Sequence, residues 1–146
     1  MQSSEKRLEN YFEERFGVDR DFWNSLKVHE RSSSLWVVSG DTDLNGEFTA
    51  SGIRALRKAN LGFKPTTYML QILGSEIDRN IAELSGKELD SLVFDREILQ
   101  GFEDLEKGYV ALKFRGSIIG CGKRTGRGLE SQISKSRSRE LKSCMV

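Results

Sequence analysis

The sequence predicts an α+β fold, with a small α/β domain followed by a β-rich one. Three features carry this expectation. An apolar stripe at helical spacing opens the chain. A compact apolar strand, Leu35 to Val38, lies between serines. A glycine-containing pair of alternating strands, GYVALKFRGSIIGCG, runs from Gly108 to Gly122.

Each element follows from local chemistry. Ser3 or Ser4 is placed to cap a first helix, with Glu5 in its opening turn. Leu8, Tyr11, Phe12 and Phe16 recur on one face, and Gly17 can stop the helix. Asp19 to Leu26 predicts a second short helix that turns Phe22, Trp23 and Leu26 into the core. After the strand at 35–38, DTDLNG (41–46) is turn chemistry. It only superficially matches a calcium loop, because Gly52 stands where the bidentate acid is required. A strand is expected around Ile53 to Leu56, beside Arg54, Arg57 and Lys58. Pro65 is expected to open a helix through Tyr68, Met69 and Ile72, ended by Gly74. Lys64, just before it, is a candidate phosphate contact near exposed helix amides.

Further along, Asn80 to Leu84 predicts a short strand. Ser85 and Glu88 form a capping-box pair ahead of Leu89, Leu92 and Val93. Ile98 to Leu105 is a connector. Tyr109 to Arg115 alternates as a strand, 115–117 turns, and the next strand starts at Ser117. Gly120 and Gly122 suggest a bend or a close backbone approach. Ile133 is expected in a final strand, with a helical or loose tail after Ser134.

Composition narrows the function. The chain has 146 residues, 37% hydrophobic and 31% charged, which suits one domain or two small ones. No apolar run approaches the ~20 residues of a membrane span, and the charged N-terminus lacks a secretory apolar core. A cytoplasmic protein without membrane contact is expected. Two cysteines, Cys121 and Cys144, and a single histidine, His29, make neither a disulfide framework nor a metal site. GCGKRTG lacks the spacing of a phosphate-binding loop, and no nucleophile–base pair stands out. The expectation is therefore no enzyme and no cofactor.

Charge is unevenly placed. Seven bases face two acids between Lys123 and Lys142, a local charge of +5 in a chain whose net charge is +1. Such asymmetry is an electrostatic footprint for a polyanion, or else a solvated tail.

The segment Gly108 to Lys135, GYVALKFRGSIIGCGKRTGRGLESQISK, resembles the PUA-type RNA-binding module. It is similar in particular to the C-terminal region of bacterial and archaeal Nop/Sun-type RNA cytosine-5 methyltransferases. These read glycine-aromatic-valine, an alternating strand, leucine-glycine-x-glycine and a basic end. Upstream, ENYFEERFGVDRDFW, SSLWVVS and GIRALRKANLGFKPTTYMLQILG resemble the region preceding that module. The order is also similar to that of a small ribosome-biogenesis factor family. The catalytic cysteine motifs and methyl-donor site of the methyltransferases are absent from this sequence, and Ser134 stands where a proline is expected.

The resemblance implies an N-terminal α/β (pre-PUA) domain over 1–73 and a PUA-like mixed β-barrel over 74–146. It implies structured RNA, rRNA or tRNA, as the partner, held by a glycine-containing edge and by phosphate contacts. An RNA-modifying enzyme or pre-ribosomal particle is a further partner it suggests. The alternatives are an adaptor for a separate modifying enzyme, or a small enzyme with an unrecognised site. The expected RNA contacts are Lys64, Lys113, Arg115, Gly120, Gly122, Lys123, Arg124, Arg127, Lys135 and Arg137. Lys123, Arg124 and Arg127 lead this set because they follow the glycine pair directly.

Overall fold

The first helix begins where the serines place it. In the computed structural model, which describes residues 3–40, 52–59 and 62–145, helix α1 spans Ser4–Phe16. The Ser3 side chain accepts from the Lys6 amide, and Gly17 ends the helix at φ 70°. A side chain at 17 would be strained by that left-handed backbone, which is what calls for glycine there. Leu8, Phe12 and Phe16 are fully buried. The expected second helix is only a 3₁₀ turn, Arg20–Trp23, capped by Asp19. Leu26 instead starts strand β1 (Leu26–Arg31). Trp23 packs on Phe12 with ring centroids 5.4 Å apart.

Strands β1, β2 (Ser34–Ser39), β3 (Ile53–Ala59) and β4 (Gly62–Pro65) form an antiparallel meander in sequence order. Among the described residues, helix and strands are thus segregated in this unit, with no parallel crossover between them. Pro65 closes β4 opposite Leu56 rather than opening a helix. Proline is tolerated there because its missing N–H falls at a strand end. Thr66 then caps α2 (Thr67–Leu73), its hydroxyl accepting from the Met69 amide, and Gly74 ends the helix as expected. The motif DTDLNG lies outside the described residues.

The chain divides into two compact units, Met1–Arg79 and Asn80–Val146. In the second, β5 (Ile81–Leu84) runs parallel to β6 (Gly108–Phe114), and β7 (Ser117–Thr125) and β8 (Gly128–Ser131) continue antiparallel. This is a mixed sheet of order β5-β6-β7-β8. Ser85 and Glu88 close the predicted capping box at the start of α3 (Gly86–Leu89), which continues into a π-helical turn over Asp90–Phe94. Leu92, Val93, Val110, Leu112, Leu129 and Ile133 fill the core. Ile133 lies beyond β8, not in a final strand; its amide bonds the Ser131 hydroxyl while its side chain is buried. The tail is helix α4 (Lys135–Met145).

The class is α+β, as the sequence predicted. Among the described residues no helix is long and apolar enough to cross a membrane.

Candidate nucleic-acid interface

The ten residues singled out in the sequence do not form one patch. Lys64 lies on β4 in the N-terminal unit, paired across the ladder with Arg57. It is not at a helix terminus, because the helix starts later and is capped by Thr66. The other nine lie in the C-terminal unit, the two glycines inside β7 and the seven cations at three places. Lys113 and Arg115 sit at the β6–β7 turn, Lys113 being 3.9 Å from Glu83 and Arg115 stacked 5.0 Å from the Phe114 ring. Lys123, Arg124 and Arg127 lie at the far end of β7 and in the turn to β8. Lys135 and Arg137 are on α4.

The glycine pair is not a free edge. β7 is an interior strand, and Gly122 is paired with Val110 on one side and Ser131 on the other. Both glycines are buried. A Cβ at 122 would come within 2.7 Å of Leu112 Cδ2 and 3.1 Å of the Glu130 carbonyl. The close approach that requires glycine here is internal packing, so the expectation of a glycine-containing edge facing RNA is corrected.

Arg124 serves the fold. Its guanidinium donates to the carbonyls of Thr125 (2.7 Å), Phe102 (3.4 Å) and Glu103 (3.4 Å), pinning the long connector against β7. The connector is also held by paired backbone bonds between Leu99 and Leu129. Lys123 lies over the Tyr109 ring at 5.3 Å, and the Arg127 side chain is exposed.

The structure does gather cations elsewhere. Arg96, Lys135, Arg139 and Lys142 surround a concavity of about 270 Å³ floored by Phe94. Lys135, Arg139 and Lys142 are spaced i, i+4 and i+7, so one helix face presents all three. Arg96 comes from the other side, after the π-helical turn. Its backbone is left-handed, φ 58°, and its guanidinium donates to Ser138 Oγ at 3.3 Å. The Lys142 ammonium lies 5.8 Å from the Phe94 ring centroid. The ion pair described on α4 is Arg137–Glu140 at 3.1 Å, off this face, and none of the four concavity cations pairs with a described carboxylate. Such an arrangement can hold a phosphate group by charge and direct N–H donation.

Arg137 therefore belongs to the helix surface and Lys135 to the concavity. Arg96 was missed, and Arg139 and Lys142 were counted only in the charge total. The helical spacing of 135, 139 and 142 was readable; the arrival of Arg96 was not. Among the described residues no three His, Cys, Asp or Glu side chains gather to hold a metal.

No family model matches the chain. It is 28% identical over 150 aligned positions to a ribosomal RNA small subunit methyltransferase F from Psychromonas ingrahamii. The alignment covers 94% of this chain and 28% of that protein, so the chain spans under a third of the relative's length. The chain is thus distantly similar, along nearly all of its own length, to one portion of an rRNA methyltransferase.

Proposed function

We propose that this chain binds RNA in an rRNA-related process and brings no catalysis of its own. The observation that carries the reading is the convergence of Arg96, Lys135, Arg139 and Lys142 on one concavity where no carboxylate among the described residues pairs with them. The phosphate backbone dominates protein affinity for nucleic acid, and RNA duplexes are read mainly by shape and by phosphate and 2′-OH contacts. Lys123 and Arg127 extend the cationic surface along the β7–β8 turn, whereas Arg124 is a positioning residue for the connector.

The similarity to an rRNA methyltransferase supports rRNA as the RNA class. The sequence resemblance to PUA modules and the mixed sheet support a PUA-like C-terminal unit with a pre-PUA unit ahead of it. Holding structured RNA for a modifying enzyme or within a pre-ribosomal particle, in the cytoplasm, fits this arrangement.

Filter binding of a small-subunit rRNA hairpin to the full chain tests the reading. Saturable binding that weakens when Arg96 and Lys135 are replaced by alanine is expected. A wild-type chain that retains no hairpin at low salt would refute RNA binding.

A further inference from the structure

The N-terminal sheet has one face packed on α1 and another that the proposed RNA site does not use. Arg7 of α1 bonds Glu30 at 2.8 Å, Glu30 also pairs with Lys58 at 2.9 Å, and Tyr11 of α1 meets Phe63. Glu30, Lys58 and Phe63 therefore point toward α1. Side chains alternate along a strand, so their neighbours His29, Arg31, Arg57 and Lys64 point away.

Cross-strand register arranges that second face into rows. Arg31 pairs with Ser34, Ser34 with Arg57, and Arg57 with Lys64. Three cations thus lie in one row across four strands, a span of about 14 Å at the usual strand spacing. The next row is His29, Trp36 and Arg54. A bulge between Leu35 and Trp36 makes this possible. It lets Ala55 and Leu56 both turn inward, each fully buried, so Arg54 and Arg57 emerge on the same face although three residues apart. Among the described residues, none of the positions on this face is acidic. Arg31 and Arg57 pair with no described carboxylate.

Trp36 sits at the centre. His29 stacks on it with ring centroids 6.4 Å apart and an interplanar angle of 21°, and the Arg54 guanidinium is 5.9 Å from its ring. Trp36 and Arg54 also line a groove of about 460 Å³ with Ile53, Thr66, Tyr68 and Ile72. The large apolar side chains that the described residues leave exposed, Ile53, Tyr68 and Ile72, all lie in this groove. An aromatic platform bordered by cations is the arrangement that binds single-stranded nucleic acid, with bases on rings and phosphates on Lys and Arg. An apolar peptide would use the groove but not the row of cations beside it.

The geometry points to a second RNA site on this face. It takes an unpaired RNA segment, stacking a base against Trp36 and Tyr68 and holding the backbone with Arg31, Arg57 and Lys64. The inference rests on the RNA-binding reading, but uses residues of a different unit.

Tryptophan emission of the full chain, titrated with an oligouridylate of about ten nucleotides, tests it. Trp23 is 1% exposed and supplies a constant background, so quenching reports Trp36. Quenching is expected, with Trp36→Ala weakening oligouridylate binding roughly ten- to hundredfold, the loss of one stacked base. Arg57→Glu, on an exposed residue, should weaken it without altering unfolding, which covers the case of an unstable Trp36 variant. Both variants should leave the rRNA hairpin bound at the concavity. Oligouridylate that binds without quenching, or with undiminished affinity to Arg57→Glu, overturns this site and leaves the hairpin reading intact. Quenching by an amphipathic peptide but not by oligouridylate assigns the groove to a protein partner and also overturns it. A chain that binds neither RNA overturns both.

Discussion

Replacing Lys135, Arg139 and Lys142 together by alanine removes three of the four cations around the concavity. If each cation neutralises one phosphate, the salt dependence of hairpin binding reports the number left. With roughly 0.8 counterions released per contact, four contacts give a log–log slope of about −3 and one gives about −0.8. Between about 50 and 200 mM salt the wild type then loses on the order of 80-fold in affinity, and the triple variant about threefold. These side chains lie on the helix surface and pair with no described carboxylate, so thermal unfolding should stay within a few tenths of a kcal/mol per site, about 0.5 at most. The assay is filter binding across a salt series, with unfolding followed by circular dichroism. A variant whose slope equals that of the wild type would refute the assignment of phosphates to this concavity, whatever its absolute affinity.

Two further outcomes test the packing and the ion pairs. Gly122→Ala places a methyl group against Leu112 Cδ2 and the Glu130 carbonyl, and should cost about 1–3 kcal/mol. A midpoint of thermal unfolding equal to that of the wild type would show that β7 can relax there. Glu30 is held at a pKa of about 2, below its ordinary 4.5, by the Lys58 and Arg7 side chains and the Ser4 hydroxyl. A depressed carboxylate pKa adds stability above the unfolded value, and that stability is lost as pH falls from about 4.5 toward 2. The difference in unfolding midpoint between the wild type and Glu30→Gln should therefore shrink over that window, and a gap independent of pH would argue against the linkage. The pair is exposed and screened, so the difference is small at any pH.

The elements legible in the sequence are those with short-range signals. Ser3 and Gly17 bracket α1, and Ser85 with Glu88 announces α3, because capping satisfies backbone groups within one turn. β1 has no local signal beyond Leu26, which the sequence places at the end of the preceding helix, because LKVHER has only Leu26 and Val28 to alternate; its conformation comes from pairing with β2. Pro65 suits a helix start and a strand end equally well, and the hydroxyl of Thr66 decided between them. For the site, the face of α4 was visible as a spacing of cations. Arg96 joins it from about forty residues upstream through a turn that no local pattern marks. The row of Arg31, Arg57 and Lys64 depends on strand register and on a bulge, both of which are tertiary facts.

Arg96 also gives a criterion for comparing relatives. A left-handed backbone costs a non-glycine residue roughly 1 kcal/mol, so drift at this position favours glycine or asparagine wherever the side chain is idle. An arginine maintained there is retained against the preference of its own backbone. Among relatives of this chain, position 96 should therefore track the use of the concavity: basic where polyanion binding persists, and glycine where the fold has outlived it.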